Sequence, residues 1–447
     1  MSLSIRIQNR LNTKKRRKTQ LPKIAELKLQ KLTRQRRQRL KRLFLEAKWF
    51  YNWVVASLEL RLTSKETSKV KTVEIKVKDH IEPRELKLLS SQMKQEIVQS
   101  IWNSLKSLKK IKGNGRKVGR LKFKSSFRSI PLKQPGVTFK FLNSQRTKVR
   151  IQNLGIFRVL GASTIPEGAE IAKAYLVRKA TGYFLLVAYY VEPQGELKAR
   201  KHKERFDYAV SFDPGIANQI SFCNGIKLSW SVQEDERLKR LQRIFSKLPK
   251  GSKKQKRIAE RIACQHQRLR NIRKDIINKI ISLLKRYKAV GFQDDSIKSW
   301  HEGWFGAQVQ HSALGGITAR LKGMNKSLAT PEVKVLPRFK ATTQICSRCG
   351  HRETLSLSER TFRCSACGLV LDRDVNASRV IQKELGLDRP EGNIPMPEEV
   401  RVIRRLFVPL AKWVRVSYPP SLGILHPSGC REEVKSFITK WGCLLEI

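Results

Sequence analysis

The sequence lacks long apolar segments. It contains no run of about 18 consecutive apolar residues, the length that indicates a transmembrane helix. Its first twenty residues are basic and contain no apolar core of the kind found in secretory signals. We therefore expect a cytoplasmic protein that does not act at a membrane.

Acidic residues are scarce relative to basic ones. The 447-residue chain has 93 Lys and Arg residues but only 37 Asp and Glu residues, giving a formal net charge of +56. Solubility alone would need a net charge of about 2–8 for a small domain. Because phosphate contacts release counterions from nucleic acid, a polyanion of this kind is the expected partner. A membrane surface is the competing interpretation, but no amphipathic anchor or lipidation signal supports it.

Cysteine is also scarce, with eight residues in the chain. Four of them are scattered along the sequence: Cys223, Cys264, Cys430 and Cys443. This distribution favours a reducing compartment over a disulfide scaffold. It predicts that Cys430 and Cys443 are free thiols.

The other four cysteines form two Cys-x-x-Cys pairs separated by fourteen residues. The zinc ligands that this spacing predicts are Cys346, Cys349, Cys364 and Cys367. Four thiolates fill a tetrahedral structural site and leave no position open for catalysis. Two redox motifs or chance spacing are the alternatives. Residues 353–362, between the pairs, are expected to form a short hairpin or turn.

Apolar periodicity divides the chain into two differently built halves. Repeats of three and four residues predict helices over about 33–58 and 90–109. Residues 120–200 are rich in β-type alternation and predict a small antiparallel barrel, with residues 4–8 as its first strand. The second half predicts strand, hairpin, helix, strand, helix and strand, an α/β layer.

Acidic residues follow the predicted strands of the second half. Asp213 closes an apolar strand, and a buried strand ends at Gln293-Asp294-Asp295. Asp374 opens a helix directly behind the second cysteine pair. Carboxylates from separate segments hold two Mg²⁺ or Mn²⁺ ions about 3.5–4 Å apart in two-metal phosphodiesterases. An N-cap or turn is the alternative role for any one of them.

These segments resemble the TnpB (OrfB) family of transposon-encoded, RNA-guided nucleases, which are related to the type V CRISPR effectors. The resemblance is carried by Ser211-Phe-Asp-Pro-Gly-Ile-Ala-Asn218, the triplet 293–295 and the block 346–376. Residues 43–53 and 115–124 resemble the N-terminal half of the same family. Together these matches span roughly residues 35–385.

The resemblance implies a multidomain α/β protein with an RNase H-like RuvC nuclease domain and an inserted zinc finger. An N-terminal wedge β-barrel and a helical recognition lobe complete the implied architecture. The implied boundaries are 1–32 and 119–200 for the barrel, 33–118 for the helical module, 205–340 and 370–388 for the nuclease, and 341–369 for the zinc-finger target-nucleic-acid-binding module. Residues 389–447 lie beyond the resemblance and form a C-terminal extension of unknown role.

The resemblance also implies a guide RNA, a target DNA, structural Zn²⁺ and catalytic Mg²⁺ or Mn²⁺, and it names no protein partner. By motif match, Asp213 is the first catalytic carboxylate and Asp374 the third. The family usually has Glu as the second, where this sequence has the neutral Gln293. Because side chains alternate along a strand, 293 and 295 share a face, and Asp295 is the candidate replacement.

Three hypotheses follow for the function. The first is an RNA-guided DNA endonuclease that cuts guide-matched DNA by two-metal hydrolysis. The second is a protein of the same architecture that is catalytically weak or silent because of Gln293, and that acts as a repressor or recruiter. The third is a DNA transposase, which the RNase H-type acids permit but the resemblance of the N-terminal half to an RNA-binding module disfavours.

Overall fold

The computed structural model describes residues 3–63, 65–77, 80–192, 204–324, 331–356, 358–390 and 393–419. The chain divides into two compact units, Met1–Lys198 and Ala199–Ile447. Each unit has its own sheet and its own apolar core, so the chain is a multidomain α/β protein. Within the described ranges, no helix has both the length and the apolar character needed to cross a bilayer.

The first unit is built around a seven-stranded antiparallel sheet. Its strands are β1 (Leu21–Gln30), β4 (Ser129–Leu132), β5 (Phe139–Phe141), β6 (Lys148–Ile151), β7 (Gly155–Leu160), β8 (Glu170–Lys179) and β9 (Gly182–Val191), while β2 (Thr72–Val77) and β3 (His80–Glu85) form a separate hairpin. The spatial order is β4-β8-β9-β1-β7-β6-β5. Among the described residues the edge strands β4 and β5 do not pair with each other, so backbone hydrogen bonds do not close the expected barrel. Pro131 lies in edge strand β4, where its missing N–H is tolerated.

The first strand of this sheet lies elsewhere than the sequence suggests. Residues 4–8 belong to a helix, α1 (Leu3–Thr19), so the expectation of a strand there was wrong. The helix continues through a run of Lys, Arg, Gln and Leu, which favour helix, and this outweighs two nearby isoleucines. The strand is β1, in which Ala25, Leu27 and Leu29 are buried and alternate with exposed charged residues. That period of two was the available signal.

The predicted helices of the first unit are confirmed. They are α2 (Arg34–Ala56) and α4 (Ser91–Gly113), and a short helix that was not predicted, α3 (Leu58–Thr63), follows α2. Thr33 and Ser90 cap α2 and α4, because their side chains accept hydrogen bonds from backbone N–H groups three residues on. The apolar faces of both helices are buried in the core of the first unit. The hairpin β2–β3 was not predicted.

A six-stranded mixed sheet forms the framework of the second unit. Its strands are β10 (Val210–Asp213), β11 (Ile220–Phe222), β12 (Lys227–Trp230), β13 (Ala289–Gln293), β14 (Glu332–Leu336) and β17 (Val414–Ser417), and a separate pair comprises β15 (Thr361–Arg363) and β16 (Val370–Asp372). The order is β14-β13-β10-β11-β12-β17, in which β10 is parallel to β13 and β13 to β14. Every residue of β13 is buried, as expected for a central parallel strand.

Helices pack on this sheet and frame its carboxyl-terminal edge. They are α5 (Glu236–Ser246), α6 (Lys253–Leu284), α7 (Ile297–Glu302), α8 (Gly306–Ser312), α9 (Gly315–Lys322), α10 (Arg373–Glu384) and α11 (Pro397–Phe407). The sequence also predicts a basic helical hairpin over 232–287 that is broken at 248–252, and this is confirmed as α5 and α6, with residues 247–252 between them. It further predicts a helix over 306–323, which is divided into α8 and α9, because Ala313 adopts a left-handed conformation with φ of +52°.

Residues beyond 388 add a helix and an edge strand to the second unit. Helix α11 packs against α6, and β17 pairs with β12 along Lys227–Trp230. The side chains of Arg389 and Glu399 are 1% and 0% exposed and form a bidentate ion pair with distances of 3.0 and 2.6 Å. The described part of the C-terminal extension therefore belongs to the core of the second unit. Cys430 and Cys443 lie outside the described residues.

Candidate active site and metal centre

The two Cys-x-x-Cys pairs fold into matching turns. In the first turn the N–H of Gly350 donates to the carbonyl of Cys346 at 3.0 Å, and in the second the N–H of Gly368 donates to the carbonyl of Cys364 at 3.0 Å. Both glycines adopt left-handed backbone, with φ of +81° and +69°. A side chain would strain either position, since only glycine adopts this region without cost. The repeated turn aims both cysteines of each pair at one point.

The four sulfurs form a compact cluster that fits a zinc ion. Their Sγ atoms all lie within 4.8 Å of one another. The Cys346–Cys367 and Cys349–Cys364 Sγ pairs are each 3.6 Å apart. Four sulfurs at about 2.3 Å around a tetrahedral zinc would be about 3.8 Å apart. Among the described residues this is the one group of three or more metal-ligating side chains gathered so closely, and its geometry allows it to bind zinc.

Asn376 fastens this cluster to helix α10. Its side chain is fully buried; its Oδ1 accepts from the Ser347 N–H at 2.9 Å, and its Nδ2 donates to the Ile345 carbonyl at 2.7 Å. Residues 361–363 pair with 370–372 across the second turn. Between the two cysteine pairs, the N–H of Glu359 donates to the Ser356 carbonyl at 3.3 Å, which agrees with the turn expected there. Strand β16 leads directly into α10, so the cysteine cluster and the start of the helix form one joined structure.

Two acidic residues at the start of helix α10 have different roles. Asp372 is the N-cap: its Oδ1 accepts from the N–H groups of Asp374 and Val375 at 3.1 and 3.2 Å. Its second oxygen contacts the ammonium group of Lys227 at 2.6 Å. Asp374 therefore lies in the first turn of the helix, where the dipole favours a negative charge. Arg373 is next to it, with Nε 3.7 Å from the Asp374 carboxylate.

Asp213 is the last residue of β10, at the carboxyl-terminal edge of the parallel strands. The chain then turns sharply at Pro214 and Gly215. A Cβ added to Gly215 would lie 2.6 Å from the carbonyl oxygen of Asn218, so no larger residue fits this turn. Helix α10 packs on β10 and is fixed to it by the Ser211 hydroxyl, which donates to the Ser378 carbonyl at 2.7 Å.

The charges of two other carboxylates act on Asp213. Burial raises the pKa of Asp213 well above its usual range, and the negative charges of Asp374 and Asp295 raise it further. Burial likewise raises the pKa of Asp295 to about 6, opposed by the positive charge of Arg338. Of the three acids predicted from the sequence, Asp213 ends strand β10, Asp295 lies in the loop after β13, and Asp374 lies in the first turn of α10.

Gln293 is occupied by structural hydrogen bonds. Its side chain is buried, and its Nε2 lies 3.2, 3.0 and 2.7 Å from the carbonyl oxygens of Pro337, Arg338 and Lys340. Its Oε1 accepts from the hydroxyl of Thr342 at 3.0 Å. An amide meets both demands, because it offers donors and an acceptor. A carboxylate would place negative charge against three carbonyl oxygens.

The two residues after Gln293 have separate surroundings. The Asp294 side chain forms an exposed ion pair with Lys322. Its backbone carbonyl accepts a hydrogen bond from Arg338 Nε at 3.1 Å. Asp295 is the one whose charge acts on Asp213. The donor set of Asp213, Asp295 and Asp374 consists of hard carboxylate oxygens, which suits Mg²⁺ or Mn²⁺.

Several supporting residues have no recognisable signal in the sequence. Asn376, Arg338 and Thr342 act through contacts 29 to 49 residues away along the chain. The capping role of Asp372 was the exception, since an Asp that opens a helix is a recognisable N-cap.

Comparison with known proteins agrees with this organisation. Residues 327–381 match the family described as Cas12f1-like, TNB domain. A protein of Streptomyces pristinaespiralis, named as a candidate RNA-guided DNA endonuclease, is 27% identical over 226 residues, 48% of this chain and 54% of that protein. A similarly named protein of Escherichia coli K12, InsQ, is 24% identical over 264 residues, 54% of this chain and 62% of that protein. The chain thus matches about half to three-fifths of the length of these relatives.

A solved structure was also found to be similar. It is a cryo-EM structure of a Cas12f1–sgRNA–target DNA complex, 12% identical with a TM-score of 0.45, covering 80% of this chain and 84% of that one.

Proposed function

We propose, from the premise that this chain is related to the TnpB-like type V effectors, that it is an RNA-guided DNA endonuclease. The second unit would be a RuvC-like nuclease domain, with the cysteine module as a zinc finger that contacts target nucleic acid. Guide RNA and target DNA would be the partners, in keeping with a net charge of +56.

The observation that supports this proposal is that the charges of Asp374 and Asp295 act on Asp213 at the carboxyl end of a parallel strand. Asp213 ends a parallel strand, Asp374 opens a helix, and Asp295 lies near enough to raise the pKa of Asp213. Asp213, Asp295 and Asp374 would hold Mg²⁺ or Mn²⁺, which would supply an activated water and stabilise the leaving oxygen in phosphodiester hydrolysis.

The chain's own residues would prepare this site before DNA enters. The Asp213-Pro-Gly turn and the Asp372 cap fix two of the carboxylates at rigid element ends. Arg373, beside Asp374, offsets part of the mutual repulsion of the acids. The zinc finger would hold the start of α10 in place through Asn376.

A catalytically weak or silent DNA-binding protein is the second candidate, and Gln293 is the observation that favours it. With its amide committed to the 337–342 segment, Gln293 offers no carboxylate to a metal. The site then depends on Asp295 alone for its middle ligand.

The test begins with the RNA that copurifies with the protein. Sequencing this RNA defines a matched DNA, which the ribonucleoprotein should cut in Mg²⁺, while Asp213→Ala should abolish cleavage. Binding of matched DNA that stays intact over hours in Mg²⁺ would refute the nuclease proposal and support the silent one.

A further inference from the structure

One aromatic side chain stands in solvent next to Arg338, which contacts the backbone after strand β13. Phe339 is 95% exposed. A single exposed apolar side chain needs no special explanation in a folded protein. Three further features of the surrounding segment set this residue apart.

The backbone on both sides of Phe339 is held rigidly. The Gln293 amide binds the carbonyls of Pro337 and Arg338 before it and of Lys340 after it. The Lys340 N–H also donates to the Pro337 carbonyl at 3.3 Å, closing a turn around residues 338 and 339. The aromatic ring is thus presented from a fixed turn, which lowers the entropy lost when a ligand packs on it.

Both neighbours of Phe339 are cationic and exposed. Arg338 and Lys340 flank it in the sequence. Lys340 contacts Glu384 at 3.0 Å in a partly exposed ion pair. An aromatic face between cations is the combination that binds single-stranded nucleic acid, because the ring stacks on a base while the cations contact the backbone.

The turn also lies next to the candidate catalytic carboxylates. Arg338 Nε donates to the Asp294 carbonyl at 3.1 Å. Asp294 directly precedes Asp295, so the Phe339 turn contacts the backbone beside that carboxylate. A DNA strand bound at Asp295 would therefore lie within reach of this turn.

We propose that Phe339 is a stacking platform for one unpaired base of the DNA strand at the carboxylate site, with Arg338 contacting the adjacent phosphate. The inference deepens the proposed function and rests on it. Stacking tolerates any base, because every base has a π-face. It requires an unpaired base, so Phe339 selects single-stranded over duplex DNA at this position.

An exposed aromatic is also common in protein interfaces, where it acts as an anchor. The flanking cations favour nucleic acid here, because they attract backbone phosphates. The oligomeric state of the variants below decides between the two partners.

The experiment uses the full chain with its copurifying RNA, in an Asp213→Asn background that leaves DNA uncut. Single-stranded DNA oligonucleotides carry the fluorescent base 2-aminopurine at one position each. Binding should quench the fluorescence at one or two adjacent positions. Phe339→Ala and Phe339→Leu should abolish the quenching and weaken binding about 5- to 150-fold, equivalent to about 1–3 kcal/mol for one stacked base. Phe339→Trp should retain both.

Matched controls separate stacking from other effects. Val408, 54% exposed on another segment of the same unit, should be replaceable by Ala without effect on DNA binding. Wild-type affinity and quenching in Phe339→Ala, or in Phe339→Leu, would overturn the inference. So would a change of oligomeric state in Phe339→Ala with unchanged DNA binding. A third outcome separates the two proposals. If quenching requires Phe339 but the protein that keeps Asp213 does not cut the DNA, the nuclease proposal is refuted and the stacking inference stands.

Discussion

The side-chain Nε2 of Gln293 lies 2.7 Å from the carbonyl oxygen of Lys340. This contact joins the end of strand β13 to the segment that leads into the cysteine module. It explains why the sequence has an amide at the position where the TnpB family usually has a metal-binding Glu. The residue joins two parts of the second unit, and its amide is held by these contacts.

Gln293→Glu should therefore impair the protein rather than restore a family feature. A carboxylate at this position faces three carbonyl oxygens and loses the donor, a cost of about 1–3 kcal/mol or more. We expect a lower melting temperature and slower DNA cleavage, both relieved as the pH falls and the new carboxyl is protonated. Thermal unfolding and cleavage rates between pH 5 and 8 measure this. A Gln293→Glu protein that is as stable as wild type and cuts faster would place residue 293 in the metal site.

The clustered acids should destabilise the metal-free protein as pH rises. A carboxyl whose folded pKa is raised holds its proton to higher pH when folded than when unfolded. Its contribution to stability is therefore complete below about 3.8 and is lost as pH rises through about 6. Asp295→Asn should remove this loss and be more stable than wild type at pH 7 by up to about 2 kcal/mol, since partial exposure screens the effect.

The measurement is chemical denaturation of both proteins in chelator at pH 4, 5, 6 and 7. The difference between them should grow from pH 4 to 6 and then level off. Added Mg²⁺ should stabilise wild type at pH 7 and have little effect on Asp295→Asn. Identical curves for the two proteins at every pH would mean that Asp295 lies outside the cluster.

Zinc removal should lower DNA cleavage although no carboxylate residue is replaced. We expect one zinc ion per chain and its loss in Cys364→Ser. Because Asn376 ties the first cysteine turn to α10, the loss should displace Asp374 and lower DNA cleavage. Cys264→Ser, outside the cluster, is the matched control and should keep both zinc and cleavage. Elemental analysis and cleavage rates measured together test this, and full cleavage by zinc-free Cys364→Ser would contradict it.

The buried pair Arg389–Glu399 should be essential for folding of the second unit. Removing one partner of a buried ion pair leaves an uncompensated charge and costs about 3–5 kcal/mol. Glu399→Gln should lower the free energy of unfolding by an amount of this order. The exposed pair Lys298–Glu302 provides the control, and Glu302→Gln should change stability by less than about 0.5 kcal/mol. Equal effects of the two substitutions in chemical denaturation would contradict the assignment.

Local patterns in the sequence were enough for most of the secondary structure. Helix α2 has strong apolar periodicity, and strand β13 is a short, mostly apolar segment. Each was recognised close to its observed bounds. Strand β1 was missed because its segment is basic and mixed in composition, and because Ile5 and Ile7, alternating with polar residues, suggested a strand earlier in the chain. The role of β17 was missed because a strand that joins a sheet from nearly two hundred residues away leaves only a short local pattern.

The sequence offered candidate ligands for the site and no sign of the residues that support them. Cysteine spacing and acids at strand ends are short-range features that appear in one sequence. The contacts of Gln293 with 337–342 and of Asn376 with 345–347 exist only once the chain is folded. The assignment of Asp295 as the middle carboxylate therefore stays a prediction that chemistry must test.

The most direct test of the account compares two neighbouring carboxylates in one assay. Asp295 acts on Asp213, whereas Asp294 forms an exposed ion pair with Lys322. Cleavage of guide-matched DNA in Mg²⁺ should fall at least about 100-fold in Asp295→Asn, because metal stabilisation of the transition state is worth several kcal/mol. Asp294→Asn should stay within about threefold of wild type, a change of less than about 1 kcal/mol. Normal cleavage by Asp295→Asn would contradict the proposed site.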